Sequence, residues 1–199
     1  MKTILILAFL ALLPHILHAQ SDTSLVRLRD IDSTILQDVR YASNNNFTGK
    51  ILYPRAEIYL RKEVALKLSL VQAHLRTLGY RIKIFDGYRP FSVQKLLWNA
   101  TKLKRYVANP AKGSKHNRGV AVDVTIVNSQ GMELDMGSEF DSFSEKSGRG
   151  SKLPPHIRNN RTILITAMRK YGFIPNSREW WHFDYSGWRR YRVMDWKWW

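Results

Sequence analysis

The sequence contains no cysteine among its 199 residues. The fold therefore has no disulfides, a lipid anchor on an N-terminal cysteine is excluded, and any metal ion must be held by nitrogen and oxygen ligands. Acidic residues are also few, with 16 Asp and Glu against 32 Lys and Arg, which leaves a net charge of +16. The length and the 44% of hydrophobic residues suit one well-buried domain rather than two.

The surplus of positive charge indicates a negatively charged environment, such as lipid head groups or cell-wall polymers. Nucleic acid is the usual alternative for a basic chain, but the sequence has no basic arm, zinc finger or stacking motif to support it. A positive surface that serves only solubility explains the composition equally well.

Apolar runs long enough to span a bilayer are also missing, because the run from Ile4 to Leu13 falls short of the ~20 residues required. This run follows a cationic start and precedes the small residue Ala19. We therefore interpret residues 1–19 as a secretory signal peptide and residues 20–199 as the mature domain, with an uncleaved anchor as the alternative. A signal peptide predicts an exported protein, either periplasmic or secreted.

The rest of the chain predicts a single α+β domain, with a mostly antiparallel sheet flanked by helices and a metal site in a cleft. Apolar residues at helical spacing predict a helix over 63–78, and a second helix is expected over 159–171. Alternating residues predict strands over 81–85, 120–126 and 179–185. Ser92 is expected to cap a further helix.

Two short segments, 114–123 and 179–182, carry the candidate chemistry. They supply two imidazoles, His116 and His182, and the carboxylate of Asp123, which together could hold one divalent metal ion. Three protein ligands with an open fourth position are typical of a catalytic zinc site, because the open position holds the attacking water. A hydrolase is therefore the first hypothesis.

Each of these residues has an ordinary alternative. Asp123 could pair with one of the many arginines, and His116 could be a surface histidine in a loop. Among the other histidines, His74 is interpreted as structural because it lies beside the apolar stripe of its helix, and His156 as exposed in a proline-rich loop. The two histidines that remain stand beside acidic residues at turn or strand positions, which favours the metal site.

Glu179 is placed to act as a base, but it precedes His182 by three residues, and a flat strand would direct the two side chains to opposite faces. The segment must therefore bend for both to reach one metal. At least one of the two tryptophans between them is expected in the core. Arg89 is a fixed donor suited to an oxyanion, and its alternative role is an ion pair with nearby Asp86.

Five motifs of this chain resemble, in the same order, those of the D-alanyl-D-alanine dipeptidases, the zinc-peptidase family that includes the vancomycin-resistance dipeptidase. They are residues 41–50, Asp86-Gly87-Tyr88-Arg89-Pro90, the Ser-x-His-x-x-Gly-x-Ala-x-Asp segment 114–123, residues 136–141 and Glu179-Trp180-Trp181-His182. The His/Asp pair alone is shared with related D-Ala-D-Ala carboxypeptidases and lysostaphin-like enzymes, whereas the ordered set is specific.

The resemblance implies an activity and the residues that carry it. The activity is hydrolysis of D-alanyl-D-alanine to two D-alanines in cell-wall metabolism. Three residues would hold one zinc ion per chain: His116, Asp123 and His182. Glu179 would be the general base and acid, and Arg89 would stabilise the tetrahedral intermediate. Four residues would contact the substrate: Tyr41, Tyr53, Ser114 and Asp141. Of these, Asp141 would pair with the free ammonium of the dipeptide.

The chain departs from the family pattern around the mouth of this site. Lys115 and Asn117 flank the first ligand where small hydroxyl residues are common, and Ser147-Gly148 stands where Ser-His is expected. Two other functions therefore stay open, namely a D,D- or L,D-carboxypeptidase that trims peptidoglycan stem peptides and a non-catalytic wall-binding module with structural zinc. The tail from residue 188 onward lies outside the pattern, and core packing with a solvated basic edge is favoured over binding of an interface or a glycan.

Overall fold

The computed structural model describes residues 24–199, so the proposed signal peptide lies outside the described residues. The strands of this part are Leu25–Arg27 (β1), Leu36–Gln37 (β2), Tyr59–Arg61 (β3), Arg81–Asp86 (β4), Ala121–Val127 (β5), Phe173–Pro175 (β6) and His182–Tyr185 (β7). Its α-helices are Leu28–Ile31 (α1), Lys62–Thr77 (α2), Phe91–Ala100 (α3) and Pro155–Lys170 (α4). None of the helices in residues 24–199 has the length and apolar character needed to cross a membrane.

A five-stranded sheet in the order β2-β4-β5-β7-β6 forms the centre of the fold. The β2–β4 pair is parallel, and the other three pairs are antiparallel. Strands β1 and β3 form a separate antiparallel pair. This arrangement confirms the predicted α+β class with a mostly antiparallel sheet.

Helix α2 buries the apolar stripe that its sequence predicts. Val64, Leu68, Val71 and Leu75 are fully buried, where α2 packs against β4 and α4. Leu78 was expected on the same stripe, but it is 50% exposed because the helix ends at Thr77. Strand β5 is buried along its whole length, so neither of its faces contacts solvent.

The structure corrects three of the predicted boundaries. Helix α4 begins at Pro155, because proline suits the first helical position, where its missing N–H would have no partner. Helix α3 begins at Phe91, so Ser92 lies inside it and does not cap it. The backbone N–H and hydroxyl of Ser92 instead donate to Asp195 (2.7 Å each). Strand β7 begins at His182 rather than at residue 179.

The C-terminal tail lies against the loops that flank the cleft. The backbone of Met194 accepts a hydrogen bond from the N–H of Phe91 (3.1 Å) and donates to the carbonyl of Asn117 (2.9 Å). The Trp198 ring is buried and lies 5.2 Å from the Tyr53 ring. Trp199 remains 39% exposed, so the tail combines core packing with a solvated edge, as predicted.

Candidate active site

Strand pairing places three polar residues in one row across the sheet. Asp123 on β5 lies opposite His182 on β7, and opposite Asp86 on β4. Residues directly opposite in an antiparallel pair have neighbouring side chains, so the register alone brings an imidazole beside a carboxylate. The sequence separation of 59 residues between Asp123 and His182 is closed by the sheet.

His116 joins this row from a single 3₁₀ turn, His116–Arg118, just before β5. Gly119 ends the turn in the left-handed conformation (φ 72°), which lets the chain reverse toward β5 as the sequence predicts. A Cβ at this glycine would lie 2.7 Å from the Leu25 side chain, so the reversal needs glycine for space as well. The reversal brings the His116 ring to the Asp123 side chain.

The donor atoms of His116, Asp123 and His182 converge on one point. Nε2 of His116 lies 3.1 Å from Nδ1 of His182. The Asp123 carboxylate lies 2.9 Å from Nδ1 of His182 and 3.4 Å from Nε2 of His116. Separations near 3–4 Å are those expected for ligands bound at ~2.0–2.2 Å to one ion. These three residues form a group that could hold a metal.

The outer nitrogens of both imidazoles have partners that orient the rings. Nδ1 of His116 lies 2.7 Å from the carbonyl of Gly87, and Nε2 of His182 lies 3.0 Å from the Asp184 carboxylate. The Lys115 ammonium in turn lies 3.1 Å from Asp184. Such outer contacts fix the tautomer and orientation of a metal-binding histidine.

This donor set requires a positive charge at its centre. A carbonyl can only accept, so Nδ1 of His116 carries the proton and Nε2 presents a lone pair toward His182 and Asp123. Burial lowers the pKa of His182, but the carboxylates of Asp123 and Asp184 outweigh it and raise the pKa to about 10. Three acceptors that meet in a buried space need a proton or a cation between them, and a divalent metal fits that requirement.

Glu179 lines the same cleft, because the backbone bends at the two residues before β7. The bend confirms the distortion that the spacing requires, and both tryptophans within it are buried. The amide of Asn176 donates to Oε2 of Glu179 (3.1 Å). Burial raises the pKa of the Glu179 carboxyl to about 7, against the opposing charges of His182 and Arg89.

Arg149 holds this bend in place, and sequence reasoning did not identify it. Its guanidinium donates to the carbonyls of Asn176, Trp180 (2.8 Å) and His182 (3.2 Å). Its backbone N–H donates to the carbonyl of Ser177 (3.0 Å). No sequence motif identifies Arg149, because all of its acceptors are backbone atoms that any residue supplies.

Arg89 lies in the cleft wall, and its ion pair with Asp86 is also present. Its Nε and Nη2 donate to Oδ2 of Asp86 (2.9 and 2.6 Å), and Nη1 donates to Gln94 (2.9 Å). Nη2 lies 3.7 Å from Asp123, so the guanidinium borders the metal-binding group. The two roles expected for Arg89 are therefore compatible.

Tyr53 does not line the cleft, which corrects its expected role as a substrate contact. The residue is buried beneath the wall, and its hydroxyl donates to Oδ1 of Asp86 (3.0 Å). Because Asp86 holds Arg89, Tyr53 supports that arginine from behind.

The other three expected contacts line the cleft, which has a volume of about 620 Å³. The Tyr41 hydroxyl donates to Oδ2 of Asp141 (3.1 Å). Burial, and then the charge of Asp123, raise the pKa of the Asp141 carboxyl well above its usual range. The hydroxyl of Ser114 accepts from the N–H of His116 (3.2 Å), which ties this residue to the first ligand. His74 and His156 lie outside the cleft. His156 is exposed as predicted, but it lies in the first turn of α4 and not in a loop.

A three-ligand metal group with an adjacent carboxylate and arginine in one cleft defines a metallopeptidase-type centre. The chain belongs to the peptidase family described as D-ala-D-ala dipeptidase, whose family model matches residues 21–193.

Two curated relatives agree with this assignment. The D-alanyl-D-alanine dipeptidase of Escherichia coli K12 is 36% identical over 163 residues, covering 81% of this chain and 84% of that protein. The enzyme of the same name from Enterococcus faecalis V583 is 36% identical over 168 residues, covering 73% and 83%. Among solved structures, a vancomycin-resistance D,D-dipeptidase in complex with a D-Ala-D-Ala phosphinate analogue is 22% identical, with a TM-score of 0.44 and coverage of 82% and 67%.

Proposed function

We propose that this chain is a zinc-dependent dipeptidase that hydrolyses D-alanyl-D-alanine to two D-alanines, with one zinc ion held by His116, Asp123 and His182. The observation that carries the proposal is the convergence of the donor atoms of His116, Asp123 and His182 in the cleft that Glu179 also lines. Membership of the dipeptidase family and the names of its curated members support the choice of substrate.

When bound, zinc supplies Lewis acidity, which polarises the scissile carbonyl and makes water a stronger nucleophile. Glu179 takes the proton from the attacking water, and its raised pKa matches it to proton transfer near neutral pH. The same carboxylic acid then returns the proton to the departing amine. Asn176 and Arg149 keep the Glu179 side chain directed into the cleft during both transfers.

Arg89 contributes a fixed positive charge for the oxyanion that develops on the scissile carbonyl. Its contacts with Asp86 and Gln94 hold the guanidinium rigid, so no reorganisation is needed as charge develops. Removing such a donor typically lowers turnover by ~10²–10³-fold. Ser114 helps to hold the substrate carboxylate in this scheme.

Asp141 pairs with the free ammonium of the dipeptide, which gives selectivity over longer peptides a physical basis. A longer peptide presents a neutral amide at this position, so it lacks the cation that would favour the charged form of the buried Asp141 and gains no ion pair there. The carboxypeptidase alternative lacks this need, because its substrates extend beyond the site.

The test combines zinc content with release of D-alanine, for the wild type and for Glu179→Gln in parallel. We expect stoichiometric zinc in both proteins and turnover in the wild type alone. Turnover mainly of an N-acylated peptide ending in D-Ala-D-Ala would establish the carboxypeptidase instead. Equal turnover by both proteins would refute the role of Glu179.

Residues 1–19 support the further proposal that the protein is exported, to a periplasmic or extracellular site. The net charge of +16 suits an anionic wall or membrane surface as its surroundings. N-terminal sequencing of the protein from the exported fraction tests this directly. A mature protein that still begins at Met1 would contradict cleavage.

A further inference from the structure

Two residues in one short segment of the cleft wall adopt a backbone conformation that is unusual for their type. Among residues 24–199, the non-glycine residues with positive φ are Asp141 (59°) and Phe143 (46°). A bulky residue in this region is an outlier that persists only where its surroundings enforce it. The contacts of Phe143 show what enforces it.

The Phe143 ring lies between two rings from distant parts of the chain. It stacks on Tyr106, with centroids 5.0 Å apart and planes within 5°, and contacts Phe47 at 4.8 Å. All three rings line the cleft. We call them the aromatic wall. Aromatic contacts of this kind are favourable beyond the burial of area, so they offset part of the strain at Phe143.

The aromatic wall is next to the residue that receives the amino end of the substrate. Phe143 follows Asp141 by two residues, and both line the cleft. A peptide that extends beyond the amino end of the dipeptide would need room in the cleft beside Asp141, and the aromatic wall is part of the cleft lining near that residue. The cleft volume of about 620 Å³ is well above the need of a dipeptide and does not itself limit length, so a limit requires a barrier at a particular place.

We propose that the aromatic wall, with Phe143 at its centre, determines the substrate length that the enzyme accepts on the amino side. The inference rests on the proposed dipeptidase function and deepens it. Selectivity then has two separate sources. Asp141 rejects any peptide that lacks the ammonium, irrespective of size, whereas the aromatic wall rejects blocked peptides according to the size of the blocking group.

A series of blocked dipeptides separates the two sources. N-formyl-, N-acetyl- and N-(N-acetyl-D-alanyl)-D-Ala-D-Ala all carry a neutral amide at the same nitrogen and no other amino group, so they differ chiefly in size. Each is measured for turnover and as a competitive inhibitor of D-Ala-D-Ala hydrolysis. Three proteins are compared: the wild type, Phe143→Gly and Tyr106→Ser. Phe143→Gly removes the central ring of the aromatic wall and also relieves the positive-φ strain. Tyr106→Ser removes a ring that another loop contributes to the aromatic wall. Tyr171→Ala, at the end of α4 and outside the cleft, is the matched control for loss of an aromatic ring.

We expect affinity of the wild type to fall with each increase in size. The relevant quantity is the affinity for the largest compound divided by the affinity for the smallest. Phe143→Gly should raise this affinity ratio by about tenfold or more, which corresponds to ~1.4 kcal/mol, and Tyr106→Ser should shift it in the same direction. Tyr171→Ala should leave the ratio unchanged. Thermal unfolding first verifies that both wall variants are folded. An affinity ratio within about twofold of the wild-type value in both folded variants would overturn the inference. Failure of the wild type to hydrolyse D-Ala-D-Ala would instead refute the proposed function.

Discussion

Replacement of Arg149 by methionine tests how the bend that carries Glu179 and His182 is held. Arg149 donates to three backbone carbonyls in that bend. Hydrogen bonds that involve a charged group contribute about 1.5–3 kcal/mol each, so the gross loss is about 4–9 kcal/mol. Burial lowers the pKa of Arg149 to about 9, with Arg161 and Arg169 adding to the effect, which shows that the buried charge has its own cost.

Removal of the charge recovers part of that cost, so we expect Arg149→Met to lower the free energy of unfolding by about 2–4 kcal/mol. The effect on catalysis should be larger than stability explains. A displacement of about 1 Å in a reacting group can cost 10²-fold, so kcat should fall about 100-fold per folded molecule. KM should change little, because Arg149 does not line the cleft.

The assay is urea unfolding together with steady-state kinetics, at a temperature where the variant is folded. Arg149→Lys should be intermediate, because a compact ammonium cannot span three carbonyls as a planar guanidinium does. Arg158→Met removes a single bond, to the carbonyl of Leu153, and serves as the control. If kcat of folded Arg149→Met equals that of the wild type, Arg149 only stabilises the fold and the positioning role is refuted.

Three further changes follow from the site. Asp184→Asn should weaken zinc affinity about 10–100-fold by releasing the His182 ring, measured by chelator competition, whereas Asp30→Asn on the surface should not. Asp141→Asn should raise KM for D-Ala-D-Ala about 10–100-fold with a smaller change in kcat, because it removes a charged contact worth about 1.5–3 kcal/mol; an unchanged KM would place the ammonium elsewhere. Trp198→Ala should lower the free energy of unfolding by about 3 kcal/mol in thermal unfolding, because this side chain is buried. Trp199 is more exposed, so Trp199→Ala should have a much smaller effect. Equal effects would show that the tail does not pack as described.

Local patterns were sufficient for the elements that depend on local physics. The apolar spacing of α2 and the alternation in β4 and β5 predicted their type and nearly their bounds, although β5 is buried on both faces and not on one. The errors in these predictions lie at the ends of helices and strands. The predicted start of α4 at residue 159 is too late, because the fixed φ of Pro155 suits the first turn of a helix. Ser92 binds the distant Asp195 and does not cap its own helix.

The site was predicted where chemistry constrains the residue type, and missed where it does not. His116, Asp123 and His182 are identifiable because few side chains bind metals. Arg149 was not identifiable, since it binds only backbone carbonyls. Tyr53 was assigned to the substrate because its residue type fits the motif. A motif match cannot show that its hydroxyl faces Asp86 in the core and not the substrate in the cleft.

The pairing of the carboxylates in the cleft supports the proposed role of Glu179 as the base. The chain has only 16 acidic residues, yet five of them gather at this site in an otherwise basic protein. Two of them pair with a cation in the structure, Asp86 with Arg89 and Asp184 with Lys115. In the proposed function the metal would pair with Asp123 and the substrate ammonium with Asp141, whereas Glu179 has only a neutral donor, the amide of Asn176. Burial raises the pKa of both Asp141 and Glu179, but the ammonium would favour the charged form of Asp141 and leave Glu179 as the carboxylate that can carry a proton.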